Sequence, residues 1–236
     1  PKDGKPVVTP SQDMVLGNYY LTMERLGEKN EGHFYRDYSE AYLAYKNGEI
    51  SLHTRIFLDP KSISSCKFTS SQLKKFILTT LGKMIFNKIL PEEFPYLNEP
   101  SLSNLIDKTP DKYFMDRHVS LTEYQNFVSN NSDLQNLDHP EKKLLVRPFP
   151  KKFLSQIIDE VFKRYQITET SRMLDNLKDL GFKYSTISGL TISASDVIIL
   201  EEKDELIKKA EKNIDEVTEM YNLGLITNKE RRTLVT

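Results

Sequence analysis

The fold is indicated most clearly by residues 203–230, which read KDELIKKAEKNIDEVTEMYNLGLITNKE. Apolar side chains recur there at three- and four-residue steps, which places them on one narrow stripe of an α-helix. The members of this stripe are Ile207, Ala210, Ile214, Val217 and Tyr221. Glutamate and lysine flank the stripe, as is typical of a coiled coil, and Asn222-Leu223-Gly224 ends the helix.

A second helix is predicted to begin directly after this turn. Thr227 and Glu230 stand three residues apart in a capping-box pattern, in which each side chain bonds the backbone N–H of the other residue. The sequence stops before this helix completes three turns. Because a narrow apolar stripe needs a partner helix to bury it, we expect an antiparallel coiled-coil hairpin whose second arm is truncated.

The remaining chain mixes helical and extended patterns. Helical periodicity predicts helices over Met14–Tyr20, Tyr38–Asn47, Leu73–Leu90, Phe153–Tyr165 and Glu169–Leu180, the first capped by Ser11 or Asp13 and the last closed by Gly181. Alternation predicts a strand over Ile50–Phe57, and Leu190, Ile192 and Val197–Leu200 suggest a strand and a short extended segment. Asp59–Ser71 is interpreted as a loop. We therefore expect an α+β fold that is predominantly helical with few short strands.

Between Glu92 and Pro150 the periodicity weakens and prolines are frequent. Such a long irregular segment is predicted to wrap the surface, with short helices near Leu121–Phe127.

Composition excludes several classes of protein. The 236 residues include 38% hydrophobic and 28% charged residues, with a formal net charge of −1. These values are typical of a soluble domain with a modest core, and they provide no overall basic field for nucleic acid. The single cysteine, Cys66, argues against a disulfide framework and is interpreted as a surface thiol. There is no membrane span or signal peptide, so we expect a cytoplasmic protein.

Few residues point to chemistry by pattern alone. The sequence has no glycine-rich phosphate loop and no paired-cysteine or His-Glu-x-x-His motif, and its four histidines are scattered. Gln12, between Ser11 and Asp13, offers two donors and one acceptor on a planar amide, which suits reading a base or ribose edge. A capping or turn role is the more frequent explanation for such a segment. Likewise, the charged face of residues 201–219 fits either a partner-binding surface or the solvated outside of a coiled coil.

A resemblance to a known family extends along the chain. Residues 5–22, KPVVTPSQDMVLGNYYLT, closely resemble a segment of the largest subunit, β′, of bacterial RNA polymerase. Further similar blocks are residues 52–56, 79–91, 177–184, 188–192 and 224–227 with 230–231. Lys83 stands where the family commonly has arginine, and a variable stretch at about 99–150 has little family signal.

The resemblance implies two domains just downstream of the metal-binding aspartate motif. Residues 1–198 would form the pore domain around the secondary channel, with the variable stretch as an insertion. Residues 199–236 would begin the funnel domain with the first rim helix and the hairpin tip. The full enzyme is a nucleotidyltransferase, DNA-directed RNA polymerase. Its Mg²⁺ ligands would lie outside this chain, which would contain no catalytic residue and be inactive alone.

The same resemblance implies the site residues and the partners. Gln12 would lie near the incoming nucleotide and the trigger loop, supported by Ser11 and Asp13. The rim residues Asn222, Thr227, Asn228, Glu230 and Arg231 would dock Gre-type secondary-channel factors. Other partners would be the β, α, ω and σ subunits, DNA, RNA and nucleoside triphosphates, with no membrane.

The main alternative is a stand-alone coiled-coil interaction module, and an independent hydrolase comes third. Metal-binding aspartates upstream in the same reading frame would favour the polymerase segment over either.

Overall fold

The computed structural model describes residues 9–25, 27–117, 147–198 and 200–236. The chain divides into two units, the first ending at Leu190 and the second beginning at Thr191. The domain boundary expected between residues 198 and 199 stays a prediction. The short helices expected near Leu121–Phe127 lie outside the described residues.

The described part of the first unit is mainly helical around one small sheet. Its helices are α1 (Gln12–Leu21), α2 (Tyr38–Lys46), α3 (Pro60–Ile63), α4 (Leu81–Asn87), α5 (Leu102–Ile106) and α6 (Lys151–Ser188). Its strands are β1 (Phe34–Tyr35), β2 (Arg55–Leu58), β3 (Phe76–Thr80) and β4 (Phe114–Met115). The sheet has the order β1-β2-β3-β4, with β1 parallel to β2 and the other pairs antiparallel. The expected α+β, mostly helical fold class is confirmed.

The second unit is the expected helical hairpin. Helix α7 (Lys203–Asn222) is followed by a turn at Gly224, whose φ is +72°, and then by α8 (Asn228–Val235). The capping box of Thr227 and Glu230 forms as predicted. The Arg231 guanidinium lies over the Tyr221 ring at 4.8 Å and so connects the two arms.

The strand expected over Ile50–Phe57 is shorter and begins later. The Ser51 N–H donates to Thr54 Oγ1 at 2.8 Å, which closes a turn where alternation predicted extended backbone. All four residues of β2, Arg55 included, are buried, so neither face of this strand meets water.

The single helix expected over Leu73–Leu90 is wrong. The segment instead forms β3 and then α4, and the Thr80 hydroxyl accepts a hydrogen bond from the Lys83 N–H to begin the helix. Both elements are buried almost throughout, and their apolar residues together follow the three- and four-residue steps that one helix would also give. The expected loop at Asp59–Ser71 likewise contains α3 and a short 3₁₀ turn at Ser65–Lys67.

The stretch directly after α4 does not wrap the surface as predicted, and residues 118–146 of that prediction lie outside the described residues. Phe94, Tyr96, Leu97 and Asn98 are fully buried, so this irregular stretch passes through the core.

The two helices expected between Phe153 and Leu180 are both present: they form the two parts of α6, which meet at a break at Gln166. Gln166 has φ +60° and ψ −158°, which are not helical values. The helix ends at Gly189, in a left-handed conformation, and not at Gly181. No strand forms between Leu190 and Leu200 in the described residues; a 3₁₀ turn, Ala194–Asp196, lies there instead.

Gly181 is needed inside α6 because another helix crosses it. A Cβ atom on Gly17 of α1 would lie 1.8 Å from the Gly181 carbonyl oxygen, and one on Gly181 would lie 2.7 Å from Met14 Cα. Asn18 strengthens the same crossing, since its amide donates to the Met14 and Leu177 carbonyl oxygens at 2.7 and 3.2 Å. Helix α1 is therefore seated directly on the backbone of α6.

We expect Gly181→Ala to lower the free energy of unfolding by about 1–3 kcal/mol, because the added methyl group has no space. Helix propensity alone would give the opposite sign, a gain of about 1 kcal/mol. Urea unfolding of the 236-residue chain measures the difference, with Thr186→Ala on the exposed part of α6 as the control. A Gly181→Ala chain as stable as the parent would contradict the close crossing.

Candidate functional site

The Ser11–Asp13 turn stands at the start of α1 with all three side chains exposed. Ser11 occupies the N-cap position of α1, one of the two predicted capping positions, but its side chain makes no capping hydrogen bond. Gln12 has φ +47°, in the left-handed region. A non-glycine residue there costs on the order of 1–3 kcal/mol and persists only where its surroundings fix it. A strained backbone with an exposed amide is the kind of geometry found at functional turns.

Contacts of Pro10 and α1 with the rest of the first unit fix the position of this turn. Pro10 is buried, and α1 lies against α6 at the Gly17–Gly181 crossing. At the other end of α1, the Thr22 hydroxyl accepts from the Phe149 N–H at 3.0 Å and donates to the Asn18 carbonyl oxygen at 2.9 Å. The backbone of Gln12 is therefore set by packing along the whole helix.

A buried ion pair, which the sequence analysis missed, fixes the segment just after α1. The Lys83 ammonium of α4 pairs with the Glu24 carboxylate and donates to the Asn98 carbonyl oxygen at 2.6 Å. Lys83 is 0% exposed and Glu24 3%. Burial lowers the pKa of Lys83, and the Glu24 charge opposes that shift. A lysine within the apolar run Leu81–Leu90 is the sequence signal that could have revealed it.

Buried amides complete the surroundings of this ion pair. Asn87 donates to the Leu97 carbonyl oxygen and accepts from the Leu97 N–H, at 2.8 and 2.7 Å. Asn104 accepts from the Asn98 N–H at 2.8 Å and donates to the Tyr96 carbonyl oxygen at 2.8 Å. Side chains thus supply the hydrogen bonds of the irregular backbone at residues 96–98, whereas a strand would obtain them from a neighbouring strand.

A second buried cation lies on the sheet. Arg55 of β2 is 1% exposed and pairs with Glu31, but its Nε and Nη1 atoms have no hydrogen-bond partner within the described ranges. The charge of Arg55 also lowers the pKa of Lys83, after the larger effect of burial. Two buried cations and their carboxylates therefore occupy one region of the core.

The hairpin tip brings most of its predicted residues together. The Glu230 carboxylate accepts from the Thr227 N–H at 2.8 Å and also from the Thr227 hydroxyl, and these bonds hold the pKa of Glu230 below its usual value. Arg231 donates to the Asn228 side-chain oxygen at 3.2 Å. Asn222 lies across the turn, at the end of α7. Gln12 belongs to the first unit and the tip to the second.

Among the described residues, the histidines and the cysteine form no metal centre. Within residues 9–25, 27–117, 147–198 and 200–236, no three histidine, cysteine or acidic side chains could hold a metal ion. His53 is buried, and burial lowers its pKa, while Cys66 is exposed as expected. His118 and His139 lie outside the described residues.

No helix in the described part of the chain combines the length and apolar character that crossing a membrane requires.

Comparisons with known proteins give one consistent family. The family model described as RNA polymerase Rpb1, domain 3, matches residues 1–197. The DNA-directed RNA polymerase subunit beta' of Geobacillus kaustophilus is 52% identical over 231 residues, which are 98% of this chain and 18% of that protein. The same subunit of Bacillus mycoides is also 52% identical with the same coverage. The chain thus spans about 18% of the length of these relatives.

We expect Lys83→Met to lower the free energy of unfolding by about 3–5 kcal/mol, since it leaves the Glu24 charge buried without a partner. The double variant Glu24→Leu with Lys83→Met should recover part of that loss, because no unpaired charge remains, while the Asn98 carbonyl oxygen still lacks the Lys83 donor. Urea unfolding of the parent, both single variants and the double variant gives the coupling. Additive losses would show that the two side chains do not depend on each other.

Proposed function

The chain belongs to the family of RNA polymerase Rpb1, domain 3, and on that premise we propose that it is a segment of a bacterial RNA polymerase β′ subunit that lines the secondary channel beside the active site. It would support DNA-templated RNA synthesis there and present the hairpin tip to secondary-channel factors. The observation that carries the proposal is the family match over residues 1–197. A stand-alone coiled-coil module has less support, because that match covers the first unit, which such a module would lack.

Gln12 is the residue proposed to approach the incoming nucleotide. Its exposed amide can donate and accept at once, and the strained turn is held by the seating of α1 on α6. Because packing already fixes this turn, the amide is oriented without further loss of backbone freedom when a nucleotide arrives. Ser11 and Asp13 flank Gln12 on the same exposed turn and would orient it.

The chemical step in the full enzyme would depend on groups outside this chain. The resemblance implies Mg²⁺, but the described residues bring no suitable set of ligands together. The side chains therefore do not fit the metal, and its ligands elsewhere in the enzyme stay a prediction. We propose that the segment positions the nucleotide and the neighbouring subunits. Its proposed partners include the β, α, ω and σ subunits. The full enzyme is proposed to be cytoplasmic.

The hairpin tip is proposed as the docking site for Gre-type factors. Thr227, Asn228, Glu230 and Arg231 are exposed or half-buried within a single helical turn, so one partner could contact all of them. The internal bonds among these side chains order the tip before any partner arrives. Asn222 adds a polar group from the other arm.

We expect Gln12→Ala in the assembled polymerase to slow single-nucleotide addition about 2- to 10-fold, the size expected from losing one hydrogen bond of about 0.5–1.5 kcal/mol. Gln12→Gly should be equally slow although it relieves the strained φ, whereas Gln12→Asn should retain part of the rate. Rapid-quench kinetics measure the rate, with Asn176→Ala on exposed α6 as the control. Parental rates in the alanine and glycine variants would contradict a role for the amide.

We expect Glu230→Lys to weaken factor-stimulated transcript cleavage several-fold and to leave elongation unchanged. Glutamine can replace glutamate in a capping box, so Glu230→Gln separates loss of charge from loss of helix start. If docking uses the charge, both variants should bind the factor more weakly; Glu93→Lys in the first unit is the charge-reversal control. Unchanged affinity of Glu230→Lys for the factor would remove the tip from the docking site.

A further inference from the structure

A cavity of about 490 Å³ opens in the first unit between α2, α3, α4 and the segment that follows α4. Its lining includes three lysines and one glutamate: Lys61, Lys67, Lys88 and Glu92. With all four charged, the lining has a net charge of +2, which is three positive charges less one negative. This volume lies in the usual range for small-molecule sites, about 300–1,000 Å³.

Lys67 is the most informative of these side chains. It is only 6% exposed, and among the described residues its ammonium donates one long hydrogen bond, 3.4 Å to the Pro91 carbonyl oxygen. An ammonium has three donors, and burying one without partners is unfavourable. Burial lowers the pKa of Lys67 to about 8, although the Glu92 charge opposes the shift. An anion in the cavity would supply the missing partner.

The rest of the lining is suited to hold both a charged and an apolar group. The Lys88 ammonium lies over the Tyr38 ring, 2.9 Å from its centroid, which fixes its place at the rim. Ser64 also lines the cavity and provides a hydroxyl group. Met84 and Leu90 are buried apolar residues that also line the cavity.

We propose that this cavity binds a small phosphate monoester, with the phosphoryl group at the lysines and the organic part against Met84 and Leu90. A phosphate monoester has close to two negative charges at neutral pH and so balances the lining. Its three terminal oxygens accept from several directions, which suits separate ammonium groups on different elements. A metal ion is disfavoured because Glu92 is the only carboxylate in the lining.

The test is titration calorimetry of the full 236-residue chain with AMP as the phosphate monoester. Adenosine and inorganic phosphate are the two comparison probes. We expect AMP to bind and Lys67→Met to weaken it at least 10-fold, while Lys46→Met, an exposed lysine of α2 outside the lining, leaves it unchanged. Because Lys67 is buried and poorly partnered, methionine should keep the chain folded, and circular dichroism verifies this.

Each other result overturns a defined part of the proposal. No AMP binding by the parent chain at millimolar concentration, or equal weakening by Lys46→Met, would overturn the site. Adenosine bound as tightly as AMP would overturn recognition of the anion, and inorganic phosphate bound as tightly would overturn the part assigned to Met84 and Leu90. If Lys67→Met unfolds, Lys88→Gln at the exposed rim provides the same comparison, and unchanged AMP affinity there would count against the proposal.

Discussion

The stability of the first unit depends on hydrogen-bond partners for the backbone of an irregular segment that passes through its core. Residues 96–98 are buried and lie outside any strand of the sheet, so their N–H and C=O groups cannot be left to water. Side chains of Asn87, Asn104 and Lys83 supply the bonds that a neighbouring strand would otherwise make. Each buried polar group left unpaired costs about 1–3 kcal/mol, so these side chains must fold together with the segment.

The same requirement explains why charges are buried here. Once Lys83 reaches the Asn98 carbonyl oxygen, its ammonium is inside the protein and needs a carboxylate, which Glu24 provides. Glu24 lies three residues after the end of α1, so the ion pair ties that end of the helix to α4. The crossing at Gly17 and Gly181 holds the middle of α1 on α6. The candidate turn at Gln12 is thus connected through one helix to the most constrained part of the core.

An element could be predicted from the sequence where its signals lie within the element itself. The hairpin and α2 were predicted because caps, turn glycines and helical spacing lie within each element. The helix expected over Leu73–Leu90 failed because the apolar residues of a buried strand and of the helix after it together recur at three- and four-residue steps. The buried course of residues 94–98 could not be predicted, since the groups that satisfy it come from positions up to 15 residues away.

The candidate sites also differ in how much of each could be predicted from local sequence. Gln12 was found through the resemblance, whereas its positive φ is a property of the folded chain that no spacing encodes. Lys61, Lys67 and Lys88 are spread over three separate elements of the sequence and meet at one cavity only after β3 and α4 form in place of the long helix. An error in one secondary-structure prediction therefore hid a charged cavity, because a cavity depends on how distant elements are placed. Charged residues that come together only on folding can be identified only from the packed structure.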